Sequence, residues 1–177
     1  MGKIHTPRRV KLFVGVLSSI PEMFPEVEAR LSALWGDVDL RSDLFAFDST
    51  DYYNDTMGRP IQRQFLGFAQ LVDASELARI KLKTNELEAE IARGYTQVER
   101  PVNLDPGYLE EAKIVLASTK NFYHRILLSG GIYAEVTLHF EGGEWRPFPW
   151  TFPDFRTGRY NSFFSSLRSI YRKQIKD

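Results

Sequence analysis

The chain has 177 residues and 43% hydrophobic content, enough to bury a core, so a disordered, weakly hydrophobic chain is excluded. Basic and acidic side chains number 23 each, which leaves no global field to draw in nucleic acid or an anionic membrane. The absence of cysteine excludes disulfides, thiolate metal sites and cysteine nucleophiles, and fits a reducing compartment such as the cytoplasm.

Residues 1–9 read as a basic arm, with Lys3, Arg8 and Arg9. They match the acylation pattern Met-Gly-x-x-x-Thr but hold no apolar stretch of signal-peptide type. Residues 10–177 read as one α+β domain. Val10–Leu17 is apolar on both faces, as a central strand should be. Ser19-x-x-Glu22 forms a capping box before a helix striped by Phe24, Val27, Leu31, Leu34 and Trp35, which Gly36 ends. Asp39–Phe47 alternates as a second strand, Asp48–Arg59 is a polar loop, and Ile61–Val72 is a third strand. Asp73-x-x-Glu76 caps a second helix with Leu77, Ile80, Leu87 and Ile91 on one face, and Gln97–Leu104 is a fourth strand. The order βαββαβ is that of a ferredoxin-like unit.

Asp105-Pro106 reads as a cap and first-turn proline opening a further helix through Leu109, Ala112 and Leu116. A hairpin follows: Phe122–Leu128, the turn Ser129-Gly130-Gly131, and Ile132–Phe140. A three-residue loop places Leu128 opposite Ile132; it is preferred to a two-residue loop, which would mix His124 with Glu135 and Thr137, because it yields one nearly pure apolar face. His124 then shares an apolar face with Ile126 and Leu128, while Arg125 stands opposite Glu135. A second glycine turn, Gly142-Gly143, leads to Trp145–Phe148. Pro147–Phe155 is an ordered loop, and a closing helix carries Tyr160, Phe163, Phe164, Leu167, Ile170 and Tyr171. The predicted fold is thus an α+β, ferredoxin-like βαββαβ half extended by a helix, a β-hairpin and a C-terminal helix.

No P-loop, no Gly-x-Gly-x-x-Gly after a strand and no nucleophile elbow is present. No cofactor can therefore be named. His5, His124 and His139 lack metal-ligand spacing, and no metal site is expected. The chemistry-bearing candidates are Asp48 and Asp51 in the loop, His124 and Glu135 in the hairpin, and Glu86, Lys120 and Arg125 as ligand-binding groups. Each has a plainer reading. Asp48 and Asp51 suit turn chemistry. His124 suits a hydrogen-bonded core position. Arg125–Glu135 suits a cross-strand ion pair. Asn85, a poor helix former, faces either a polar site on the sheet or solvent.

Several runs resemble a bacterial family, the domain of unknown function DUF4416. They include Lys11-Leu12-Phe13-Val14-Gly15, Phe47-Asp48 with Tyr52-Tyr53, Thr84-Asn85-Glu86-Leu87 and Asn103-x-Asp105-Pro106-Gly107-Tyr108. His124-Arg125-Ile126, Gly131 through Thr137 and Pro149-Trp150-Thr151 continue the likeness over nearly the whole chain. The resemblance implies a bacterial cytosolic protein and carries over no catalytic roles. Members are sometimes labelled GTP-binding, but this sequence lacks both the phosphate loop and Asn-Lys-x-Asp. Two functions are expected. The first is a small-molecule-binding protein or enzyme for an anionic or phosphorylated ligand, with a pocket joining Asp48, Asp51, Glu86, Lys120, Arg125 and Glu135. The second is a protein- or RNA-interaction module using the basic arm, Tyr52, Tyr53, Trp150, Arg159, Arg168, Arg172, Lys173 and Lys176. The oligomeric state is left open.

Overall fold

The computed structural model describes residues 2–176; Met1 and Asp177, the outer ends of the expected arm and domain, lie outside them. Strand β1 (Val10–Ser18) is buried at every position. Its even-numbered side chains face one helical layer and its odd-numbered ones face another. After β1 come α1 (Met23–Trp35), β2 (Val38–Arg41), β3 (Phe45–Ala46), α2 (Asn54–Met57) and β4 (Gln62–Val72). Helix α3 (Leu77–Arg93) leads to β5 (Asn103–Glu110), β6 (Lys113–Ser118), β7 (Ile126–Ser129), β8 (Ile132–Glu141) and β9 (Glu144–Pro147). Short α4 (Pro153–Arg156) and long α5 (Asn161–Gln174) close the chain.

All nine strands join one sheet in the order β2-β4-β1-β5-β6-β8-β7, with β3 on β4 and β9 on β8. Every pairing is antiparallel. Leu12, Val14 and Val16 pack with α1 residues Phe24, Val27 and Leu31 and with α3 residues Ile80, Leu87 and Ile91. On the opposite face, Phe13 and Phe65 meet Phe163, Phe164, Leu167 and Tyr171 of α5. Each such fully buried side chain is worth about 1.5–3 kcal/mol. The sheet is therefore covered on both faces, and this is why β1 shows no polar side in the sequence.

The largest departure from expectation lies at 105–116. No helix forms there: β5 and β6 make a hairpin in the middle of the sheet. Leu109, Ala112 and Leu116 are spaced as a helical stripe would be, but Leu109 and Leu116 belong to two strands. A strand buried on both faces cannot be told from a helix by periodicity alone. The expected strand at Gln97–Leu104 forms only from Asn103, and the one at Asp39–Phe47 breaks into β2 and β3. The break is at Ser42, whose main-chain N–H and hydroxyl both bond to Phe65. Ser19 caps no helix. Its hydroxyl donates to the Met57 carbonyl, and α1 starts at Met23. Asp73 does cap, accepting from the Ser75 N–H at 2.8 Å.

In the hairpin, Ile126 pairs Ala134 and Leu127 pairs Tyr133, the expected register. At the tip the chain differs. Gly130 and Gly131, with φ of +57° and +77°, form a two-residue turn that needs positive φ at both positions. A bulge falls at Leu128. Strand β7 is shorter than expected and exposed along its length, so the expected buried apolar face is absent from it.

Candidate functional site

Pro106 organises the site. The β5–β6 ladder runs from Glu110–Lys113 back to Gly107–Leu116 and stops. The next residue, Pro106, has no N–H to donate. Beyond it, Leu104 is paired by α3 side chains in place of a strand. Glu88 Oε1 accepts its N–H at 2.7 Å, and Lys81 Nζ donates to its carbonyl at 2.6 Å. Between the parted ends of β5 and β6 opens a cleft of about 460 Å³. The loop from Phe47 to Tyr53 walls one side and the segment from Phe152 to Phe155 another.

Five cationic side chains line this cleft, Arg63, Lys81, Arg100, Lys120 and Arg125, against three carboxylates, Asp105, Glu135 and Asp154. Arg125 is rigidly held. Its Nε donates to Glu135 Oε2 at 2.8 Å, and its Nη1 to the Lys120 carbonyl at 2.8 Å and the Ser118 hydroxyl at 3.0 Å. Glu135 is saturated, because the Thr137 hydroxyl donates to it and His124 Nε2 lies 3.0 Å away. Arg63 is buried among Phe47, Phe65, Phe155 and Tyr160. Asp154 lies 3.3 Å from its Nη1 and Asp105 lies 3.5 Å from its Nη2. Asp154 also accepts from the Tyr160 hydroxyl at 3.1 Å.

Several donors remain open. The buried Arg63 Nε and Asn103 Nδ2 have no partner. The lysine ion pairs among the described residues are those of Lys11, Lys83 and Lys113. Lys81 and Lys120 have no carboxylate within 4.0 Å among the described residues. Lys120 instead lies 4.1 Å from the Tyr52 ring centre. A hydrogen bond from Lys120 to the Tyr52 phenol, with the lysine's charge, holds that phenol below its ordinary pKa. Burial drives the neighbouring Tyr53 phenol far above its own, and Asp105 adds to the effect.

The sequence candidates divide. Lys120, Arg125 and Glu135 line the cleft, as does Asn85. His124 stands next to it, bonded to Glu135 and stacked on Trp150 with ring centres 5.3 Å apart. It therefore lies on the Glu135 side and does not share a face with Ile126. Trp150 in turn donates to the Val136 carbonyl at 3.0 Å, covering the β8 edge between β7 and β9. Asp48, Asp51 and Glu86 are not part of the constellation. Asp51 bonds to Asn54 and Arg59 at the surface. Asp48 lies 3.5 Å from Arg159, and Glu86 pairs with Lys83 on the exposed side of α3. The six-residue pocket expected from the sequence thus reduces to three of its members. Of the alternative surface, Tyr52 and Tyr53 line the cleft, whereas Arg168 and Arg172 are engaged with Glu111.

Arg63, Lys81, Arg100, Asn103, Asp105 and Asp154 escaped the sequence reading. Two left a signal. Lys81 interrupts the buried stripe of α3 between Leu77 and Thr84, and Arg63 occupies a buried position of β4 between Ile61 and Phe65. No group of three or more histidine, aspartate or glutamate side chains among the described residues stands where it could hold a metal ion.

A family model described as a domain of unknown function, DUF4416, matches residues 8–171. The chain belongs to this family. The DUF4416 match takes in the whole sheet and every residue of the cleft. No curated protein and no solved structure matches the chain. No helix among the described residues is long and apolar enough to cross a membrane.

Proposed function

We propose that the cleft binds a small anionic ligand through a phosphate or carboxylate group. The observation that carries this reading is the surplus of positive charge in one cleft, five cations against three carboxylates, beside two buried donors left unpaired. Lys81 and Lys120 lack a carboxylate, and the buried Arg63 Nε and Asn103 Nδ2 lack any partner. Buried polar groups are normally paired, and an anion would offer an acceptor to the two open donors and a counter-charge to the two lysines. The arrangement also supplies a base. Asp105 has spare acceptor capacity, its contact among the described residues being Arg63 at 3.5 Å. It is placed to accept a proton or hydroxyl from a ligand held by the cations, so catalysis on that ligand fits the same site. We also read β2-β4-β1-β5, with α1 and α3 on one face, as a ferredoxin-like unit, which the strand order supports. The lack of cysteine and the family resemblance support a bacterial cytoplasmic setting.

Titration calorimetry with inorganic phosphate and with succinate tests the reading. Binding of one of them should weaken at least about tenfold in Lys120→Ala and in Arg125→Ala, the loss of a charge-assisted hydrogen bond. Glu86→Gln and Asp51→Asn, both outside the cleft, should leave it unchanged. Failure of both anions to bind, or wild-type affinity in both cleft variants, sinks the proposal.

A further inference from the structure

The outer edge of β7 gathers six of the eleven exposed large hydrophobic side chains among the described residues, apart from the cleft chemistry. Ile126, Leu127 and Leu128 are 73%, 57% and 43% exposed. Phe122 and Tyr123 precede them, also exposed, and Leu82 of α3 flanks the hairpin turn beside Gly130. Strand β7 ends the sheet. Its four residues include no charge and no proline, although lysine or proline is the usual protection of an exposed edge.

We propose that this chain forms a two-fold dimer by antiparallel pairing of β7 with β7 of a second copy. Three observations select a copy of itself over a foreign partner. An antiparallel edge is self-complementary across a two-fold axis, so one surface serves both subunits. Strand β7 at its centre is aliphatic and carries no charge, the composition of homodimer interface cores and not of transient ones. Weighted by exposure, the six side chains present on the order of 700 Å², close to the ~800 Å² per partner of a standard stable interface. The pairing satisfies the outward main-chain groups of β7 and covers Ile126 on one face of the joined sheet and Leu127 on the other.

Sedimentation velocity on the full chain over a dilution series decides the matter, with hydrogen exchange as a second readout. The wild type should sediment as a dimer at micromolar concentration, with the β7 amides that face away from β8 slowed in exchange. Leu127→Glu should weaken dimerisation by at least about 100-fold and release those amides. Its far-ultraviolet dichroism should be unchanged, because the side chain is already exposed in the monomer. Ile126→Lys serves as a second variant should Leu127→Glu fold poorly. A wild type that stays monomeric throughout overturns the proposal. So does a dimer that survives both substitutions, or one whose β7 amides exchange freely.

Discussion

Single residues at the fork between β5 and β6 carry opposing burdens. Glu88 is largely buried, and this raises its pKa above the ordinary carboxylate value, against the pull of Lys81, Arg100 and the Leu104 N–H. With a raised native pKa the folded state holds more protons than the unfolded one between the two values, so stability falls as pH rises through that window. The stability difference between wild type and Glu88→Gln, measured by urea unfolding, should therefore decrease as pH rises from the ordinary carboxylate range through the raised native value. A difference that is flat or increases with pH would show that Glu88 is not buried as described. Lys81 and Arg63 make the complementary point about legibility. A lysine in an apolar stripe and an arginine alternating with Ile61 and Phe65 are visible in the sequence. Whether they meet solvent, a carboxylate or a cleft depends on α3 and β4 converging on β5, which no local pattern reports. Arg125 with Glu135 was readable because both lie in one hairpin of known register.

At the level of elements, the central hairpin is the test of packing. A Cβ on Gly107 would stand 2.5 Å from the Val115 carbonyl oxygen and 2.7 Å from Phe13 Cζ. Gly107→Ala should cost about 1–3 kcal/mol, the range of overpacking in a tight core, read as a lower denaturant midpoint at constant slope. A substitution that leaves the midpoint in place would mean that β5 and β6 are not packed as described. The same hairpin marks where sequence reading fails and why. Strand β1, the helices over α1 and α3, and the Gly-Gly turn announce themselves through period, caps and turn chemistry. Residues 103–118 do not. Asp105-Pro106 has the composition of a helix start, and two-sided burial removes the alternation that would mark a strand. Only the position of β5 between β1 and β6 decides its conformation. The exposed β7 is the converse case: its apolar residues read as core, yet the sheet ends there and nothing in the described chain covers them.

For the molecule as a whole, the proposed anion binding and folding form one linked equilibrium. The cleft draws residues from β4, α3, β5, β6, β8 and α4, and from the loop at Phe47–Tyr53, so none of it persists in the unfolded chain. A bound anion at about 100 times its dissociation constant should add about 2.7 kcal/mol of stability. For a chain of this size that is a rise of about 5–10 °C in Tm, measurable by calorimetry with the same phosphate or succinate. An anion that binds at the cleft without raising Tm would contradict a site assembled only by the fold.

The fork at Pro106 has a kinetic meaning as well. An ordinary amide there would let β6 zip onto β5 for another rung, and any ligand would have to peel the strands apart before entering. The ring removes that option covalently, while Lys81 and Glu88 already occupy the main-chain groups of Leu104 that a further rung would have used. The gap is a standing vacancy in the sheet. Entry of the proposed anion then requires no breaking of a ladder bond, and its encounter should be governed by diffusion and the cationic lining, without a slow opening step.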